Sequence, residues 1–303
     1  MKTFMRQSRI IQGLMRTSNI DEEQLYEIIK FDLDNGIYIF DLADIYDNGG
    51  SEIKLGNVLR KHPELREKMC IQSKGSIRFY DRGGYYDLSY EHIIDAVNSS
   101  LDRLGISYLD CFLLHRPDIF MDAKEVARAF NELYEQGKVK HFGVSNFPKE
   151  AIEYLKKEVK QKIEYNQIQL GLGNTLLIDE IFNFNVNNDL AISKTSGTYF
   201  YLKEKDIAIQ AWSPYMVGFF QGSLFDNYKY PKINEVLEGF ANKYHTNKCA
   251  IATAFILELN KDINVITGSL DINHIQESLD GENIELSKED WYTIYKECGH
   301  NLP

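Results

Sequence analysis

Eight short apolar runs, each followed by a stretch of helical spacing, predict a (β/α)8 TIM barrel of α/β class. It is read as a single domain over residues 1–303. Three observations carry this. Strands that alternate with helices favour a parallel sheet. The length, 303 residues, is near that of one such barrel with insertions. The rival, a doubly wound sheet, normally places GxGxxG after its first strand. Here the first turn reads QGLMRTSN, and Gly171-Leu-Gly173 comes too late to serve.

Taken in order, 9–12 reads as a strand stopping at Gly13. Asn19 or Asp21 can cap a helix over 22–35, which Gly36 ends. A strand over 37–40 runs into Asp41. A helix over 51–61 follows Asn48-Gly49-Gly50, with Pro63 beyond. Residues 70–73 form a strand, and 75–88, rich in Gly, Tyr, Asp and Arg, read as a loop; loops of that length tend to be functional. Ser89 caps a helix over 89–104, where Ile93, Ile94, Val97, Leu101 and Leu104 keep helical spacing. Then come a strand at 109–114, a helix at 122–136 stopped by Gly137, and a strand at 141–144. Pro148 opens the next helix. A weak strand at 163–167 precedes a helical region, 178–205, broken by FNFNVNND. The remainder is a strand at 207–211, helices at 233–244 and 248–259, a strand at 263–267, a helix at 272–280, and a last helix, 286–298, outside the repeat.

The net charge of −11 argues against a nucleic-acid or anionic-membrane surface. Cys70, Cys111, Cys249 and Cys298 form no CxxC pair, so reduced thiols are expected. The start has no apolar stretch fit for a signal peptide, and no run reaches the roughly 18 apolar residues of a membrane span. A cytoplasmic chain with no metal site is the expectation.

Asp41, Lys74 and His115 fall at the ends of three successive strands, and Tyr46 lies five residues beyond Asp41. In a barrel such ends open on one face, so the four can converge. A phenol, with a free pKa near ~10, is a poor acid unless assisted. Lys74 could lower it by favouring the phenolate, Asp41 could hold Lys74, and His115 could orient a carbonyl oxygen. That set describes a proton donor for a carbonyl under reduction, and the hydride must come from a cofactor.

These residues sit in longer motifs that resemble the aldo-keto reductase family over nearly the whole chain, in particular a bacterial oxidoreductase subgroup with short termini. FDLADIYDNGGSEIKLG places Asp41 and Tyr46 on the family's catalytic Asp and Tyr. QSK and LDCFLLHRPD place Lys74 and His115 on its Lys and His. GKVKHFGVSNF resembles the segment whose Ser145 and Asn146 meet the nicotinamide carboxamide, and EYNQIQ adds Gln167. QAWSP sets Trp212 to stack on the nicotinamide and Ser213 at the pyrophosphate. VITGSLDINHIQESL resembles the segment that holds the adenosine phosphate, implying contacts from Gly268, Ser269 and His274; Gly13 is a further implied cofactor contact. The resemblance implies NADPH, with NADH left open, a small carbonyl substrate and a monomer.

Singly, each residue has a plain structural reading: one tyrosine of 19, one histidine of seven. Order and strand position lift the group. YxxxK spacings (Tyr26/Lys30, Tyr201/Lys205, Tyr292/Lys296) fall inside helices and read as chance. Arg78 and Arg82 read as solvated loop residues. Two departures from the pattern stand out. His274 takes a place where relatives often have Arg, and Gly268 one where some have Lys, which weakens the case for NADPH over NADH. The short ends imply an open substrate pocket. The alternative function is a cofactor-binding, redox-sensing regulator with little turnover, like potassium channel β subunits.

Overall fold

The computed structural model describes residues 8–81, 83–183, 194–217 and 222–300. Arg82 and part of FNFNVNND lie outside them. The chain divides into two compact units. One runs to Gln167 and includes Gly268–Leu270; the other is Ile168–Thr267 and the chain from Asp271 onward.

In the first unit β1 (Ile10–Gly13) leads to α1 (Glu22–Asp34). Asp21 is the cap: its side chain accepts from the Gln24 N–H, and the Gln24 side chain accepts from the Asp21 N–H. That reciprocal box satisfies two donors that a helix start leaves open. β2 (Ile39–Asp41), α2 (Gly50–Lys61) and β3 (Cys70–Gly75) follow.

The expected loop at 75–88 is instead an antiparallel hairpin, β4 (Ile77–Tyr80) with β5 (Gly83–Tyr86). Cross-strand pairs explain it: Tyr80 meets Tyr85 edge-on at 5.9 Å, Arg78 lies over the Tyr85 ring at 5.8 Å, and Arg78 Nη1 bonds Asp87 at 3.0 Å. Such pairs are the unit of sheet stabilisation, and composition alone hid them among turn residues.

α3 (Tyr90–Leu104) begins where Ser89 accepts from His92 N–H and ends at Gly105, whose φ of 67° is left-handed. β6 (Leu109–Leu114), α4 (Ala123–Glu135), β7 (Val139–Ser145), α5 (Lys149–Leu155) and β8 (Ile163–Gln169) complete the run. The second unit carries α6 (Leu176–Phe182), α7 (Thr198–Glu204), β9 (Ala208–Trp212), α8 (Pro231–Tyr244), α9 (Lys248–Leu257), β10 (Ile263–Thr267), α10 (Ile272–Asp280) and α11 (Lys288–Glu297). Eight parallel strands close a barrel in the order β1-β10-β9-β8-β7-β6-β3-β2. This is the (β/α)8 fold that the alternation predicts.

Within the first unit α2 packs on α3 so closely that a Cβ at Gly56 would lie 2.4 Å from the Arg103 carbonyl oxygen. The obstacle is backbone, so the helices would have to part. Overpacking of this kind costs about 1–3 kcal/mol. Gly56→Ala is expected to lose stability of that order, measured by denaturant unfolding; an unchanged midpoint would contradict the packing argument.

Candidate active site

Parallel pairing aligns the ends of neighbouring strands in the first unit. Gly13 pairs with Asp41, Asp41 with Gln72, Gln72 with Cys111, and Ser145 with Gln167. Gln72 and Lys74 are two residues apart on β3, so they share a face. Asp41 Oδ1 accepts from Gln72 Nε2 at 2.6 Å, Lys74 Nζ at 2.7 Å and Gln167 Nε2 at 3.0 Å. Lys74 Nζ also donates to the Leu42 carbonyl at 2.6 Å. Lys74 is fully buried and Asp41 nearly so.

Past β2 the chain stays tied to β3: Leu42 N–H donates to the Gln72 carbonyl and Asp44 N–H to that of Lys74. Tyr46 is thereby held beside Lys74, whose Nζ lies 5.0 Å from the ring centroid. His115 follows β6 directly, and its N–H donates to the Gly75 carbonyl. Its ring stands edge-on to Tyr46, centroids 6.0 Å apart at 81°. The four residues read from strand ends do come together.

The charge states follow from burial and partners. Burial works against the Lys74 ammonium, but Asp41 and Tyr46 outweigh it and its pKa is raised. The sequence expectation for Tyr46 needs correction in sign. Lys74 does pull the phenol down, yet burial outweighs it and the pKa rises. Tyr46 is therefore a neutral phenol rather than a phenolate. Burial, with Lys74 and Arg116, holds His115 well below the ordinary imidazole value, so it too is neutral. Its Nδ1 is buried without a hydrogen-bond partner.

Ser145, Asn146 and Gln167 gather at the ends of β7 and β8. Ser145 Oγ donates to the Gln167 carbonyl at 3.0 Å, and Asn146 Nδ2 donates to Ser145 Oγ at 2.9 Å. Asn146 sits at φ 58°, a conformation that Asn tolerates better than most residues. Gln12 Nε2 donates to the carbonyls of Gly13 and Ser269, while its Oε1 is buried without a partner. Gly268 is exposed, with open space where a Cβ would stand. In the second unit Trp212 ends β9 half-buried, Ser213 turns at φ 48°, and His274 is exposed on α10.

Three residues escaped the sequence reading. Gln72 carried a signal, a polar residue two before Lys74 on the inward face. Glu52 is fully buried, accepting from Ser73 Oγ and Arg103 Nε, both at 2.6 Å, beneath the Tyr46 turn. Asp44 carried no signal. Burial, then Glu52, push its carboxyl up to about 7, and its Oδ1 has no partner. Among the described residues no cluster of His, Cys, Asp or Glu could hold a metal, and no helix is long and apolar enough to cross a membrane.

The model of the Aldo/keto reductase family matches residues 9–297. Oxidoreductase YdhF of Escherichia coli is 31% identical over 98% of this chain and 95% of its own. A 6-dehydroglucose reductase of Agrobacterium fabrum is 31% identical over 95% and 93%. Among solved structures, an aldo-keto reductase from Klebsiella pneumoniae in complex with NADPH superposes with TM-score 0.71 at 21% identity, covering 95% of this chain and 90% of that one. The thermostable aldo-keto reductase Tm1743 does so with TM-score 0.71 at 18%, covering 95% and 94%. Match length and barrel together place the chain in the aldo/keto reductase family, as an NAD(P)H-dependent oxidoreductase whose general chemistry is carbonyl reduction.

Proposed function

We propose that this chain, acting as one catalytic domain over 1–303, reduces aldehydes or ketones to alcohols with Tyr46 as the general acid. One observation carries the reading: a buried Lys74–Asp41 pair lies beside a neutral phenol, with a neutral imidazole edge-on to it. Relatives named for glyoxal and 6-dehydroglucose reduction support a small carbonyl substrate. The complete set favours turnover over a regulatory role.

The residues suit a nicotinamide dinucleotide on their own chemistry. Asn146 and Gln167 each carry an amide C=O and NH2, matched to the two ends of a primary carboxamide. Trp212 offers a flat apolar face, and the buried Oε1 of Gln12 lies next to Gly13 and Ser269 in the chain and its hydrogen bonds. When bound, the nicotinamide supplies hydride to the carbonyl carbon. Tyr46 gives its proton to the developing alkoxide. Lys74 stabilises the phenolate left behind, Asp41 keeps Lys74 charged and in place, and His115 is positioned to hydrogen-bond the same oxygen. Solved neighbours that hold NADP or NADPH support the cofactor class.

Selectivity for a 2′-phosphate would fall to His274. From Ile263 to Ser287 there is no Lys or Arg, while Asp271, Glu277, Asp280, Glu282 and Glu285 are acidic. No guanidinium or ammonium of this stretch is there to pair with a 2′-phosphate. The expected preference for NADPH over NADH is therefore under about tenfold, or ~1.4 kcal/mol. His274→Ala should weaken NADPH more than NADH; equal losses would remove His274 from the phosphate.

General acids contribute about 10²–10⁴-fold. Tyr46→Phe is expected to lose kcat in that range while calorimetry shows NADPH still bound. Undiminished turnover would sink the mechanism.

Asp44 gives a pH signature. Its folded pKa lies above the ordinary 3.8, so the native state holds a proton that the unfolded state releases. That stabilisation is present below about pH 4 and is lost as pH rises toward 7. Asp44→Asn should remove this fall, gaining about 1–3 kcal/mol over wild type at pH 8 relative to pH 5. Parallel stability curves for the two proteins would contradict it.

A further inference from the structure

Beyond β9, the second unit clamps one short segment from two sides. On one side stand the glycines of Gly171-Leu172-Gly173. A Cβ at Gly171 would lie 2.2 Å from the Pro214 carbonyl oxygen, and one at Gly173 would lie 2.5 Å from that of Met216. Only glycine lets two backbones approach so closely. The GxG that fits no dinucleotide loop thus has a packing role. Its own turn is pinned: Gly171 and Asn174 exchange backbone hydrogen bonds at 3.1 and 2.9 Å. His300 contacts the Leu172 carbonyl at 3.1 Å and Thr175 Oγ1 at 3.0 Å.

On the other side, Tyr215 sends its hydroxyl into a buried polar cluster. Its Oη is 2.6 Å from Thr253 Oγ1 on α9 and donates to Ser278 Oγ on α10 at 2.9 Å. Ser278 Oγ donates in turn to the His274 carbonyl at 3.2 Å. One hydroxyl hydrogen per group allows one ordering: Thr253 to Tyr215, Tyr215 to Ser278, Ser278 to His274. This hydroxyl chain links the loop after Trp212 and Ser213 to the turn of α10 that bears His274.

We propose that Tyr215 is a positioning residue for the dinucleotide, fixing Trp212–Ser213 and the His274 turn in one arrangement before the cofactor arrives. The proposal rests on the cofactor reading of Trp212, Ser213 and His274 given above. The segment between the two clamps is strained: Ser213 is left-handed at φ 48°, a conformation that persists only where its surroundings enforce it. Burial raises the Tyr215 phenol well above its ordinary value, so the hydroxyl stays a neutral link. Without the link, the cofactor must order the segment as it binds, and that cost falls on affinity rather than on the chemical step.

The test is calorimetric titration of the full chain with NADPH, together with kcat and KM for the cofactor. Tyr215→Phe keeps the ring and removes the link. A five- to tenfold rise in the NADPH dissociation constant is expected, with kcat at saturating cofactor within about threefold of wild type. Ser278→Ala cuts the same chain one step on and should act alike. The double variant should lose little more than either single one, because coupled sites are non-additive. Tyr199→Phe is the control: it removes another hydroxyl bond of the same unit, 3.0 Å to the Leu259 carbonyl, and should leave cofactor affinity unchanged. Equal affinity in wild type and Tyr215→Phe overturns the proposal alone. So does an equal loss in Tyr199→Phe, which would mark a general structural effect. A wild-type chain that binds neither NADPH nor NADH overturns the cofactor reading and this proposal with it.

Discussion

The ion pair between Lys74 and Asp41, 2.7 Å apart and shut away from water, constrains everything near it. Taking two charges out of water costs several kcal/mol per ion. The cost is met only when geometry is good and the remaining hydrogen-bonding capacity is filled. Asp41 fills it with three donors and Lys74 with a carbonyl besides the carboxylate. Those partners come from β3, β8 and the chain just past β2, so the pair also fixes strand register. A slip of one residue would turn Lys74 and Gln72 to the other face. Truncating either ion leaves the other buried and alone, a loss of about 3–5 kcal/mol in comparable pairs. On the function proposed above, chemistry and stability are therefore joined at this point.

Tyr46 needs a second support, because its turn is strained. Asp47 and Asn48 are left-handed at φ 52° and Gly49 at φ 87°. Asp and Asn bear that conformation better than most residues, and Gly bears it freely. Below the turn, Arg103 packs under Gly49, where a Cβ would come within 2.8 Å of its Cδ. Arg103 in turn pairs with buried Glu52, which accepts from Ser73 one residue before Lys74. The same strand thus anchors both the amine and the turn carrying the phenol.

Much of this was legible in the sequence because it rests on period and punctuation. The spans Leu109–Leu114, Ile263–Thr267 and Ile272–Asp280 fall where apolar runs and caps place them, and α3 runs from the Ser89 cap to Leu104 as its spacing predicts. The convergence of Asp41, Tyr46, Lys74 and His115 follows from strand ends, a property of the architecture. The hairpin at 77–86 was not legible. Its stability lies in cross-strand partners, and its Gly, Tyr and Arg content is equally that of a loop. The sign of the Tyr46 shift was hidden for another reason. A lysine neighbour is visible in sequence, but the burial that outweighs it is not. Asp44 is the same case without the neighbour: nothing in FDLADIY distinguishes a carboxyl held near neutrality from one exposed to water.

The two clamps on the segment after β9 show what kind of information lies deepest. Gly171 and Gly173 were visible as a motif, but only as a GxG too late in the chain to serve as a dinucleotide loop. What they accommodate is Pro214 and Met216, far along the chain. Tyr215, Thr253 and Ser278 belong to no chemical motif, and Cys249 is visible only as a cysteine without a CxxC partner. They become a cluster only because β9, α9 and α10 bring them together. A buried hydroxyl costs free energy unless it finds a partner, and here the partners are other hydroxyls, a carbonyl and the Cys249 thiol, with no charge among them. Such a chain gives direction and fixed geometry at little desolvation cost. It ties the segment to α10 without adding negative charge beside Glu277 and Asp280.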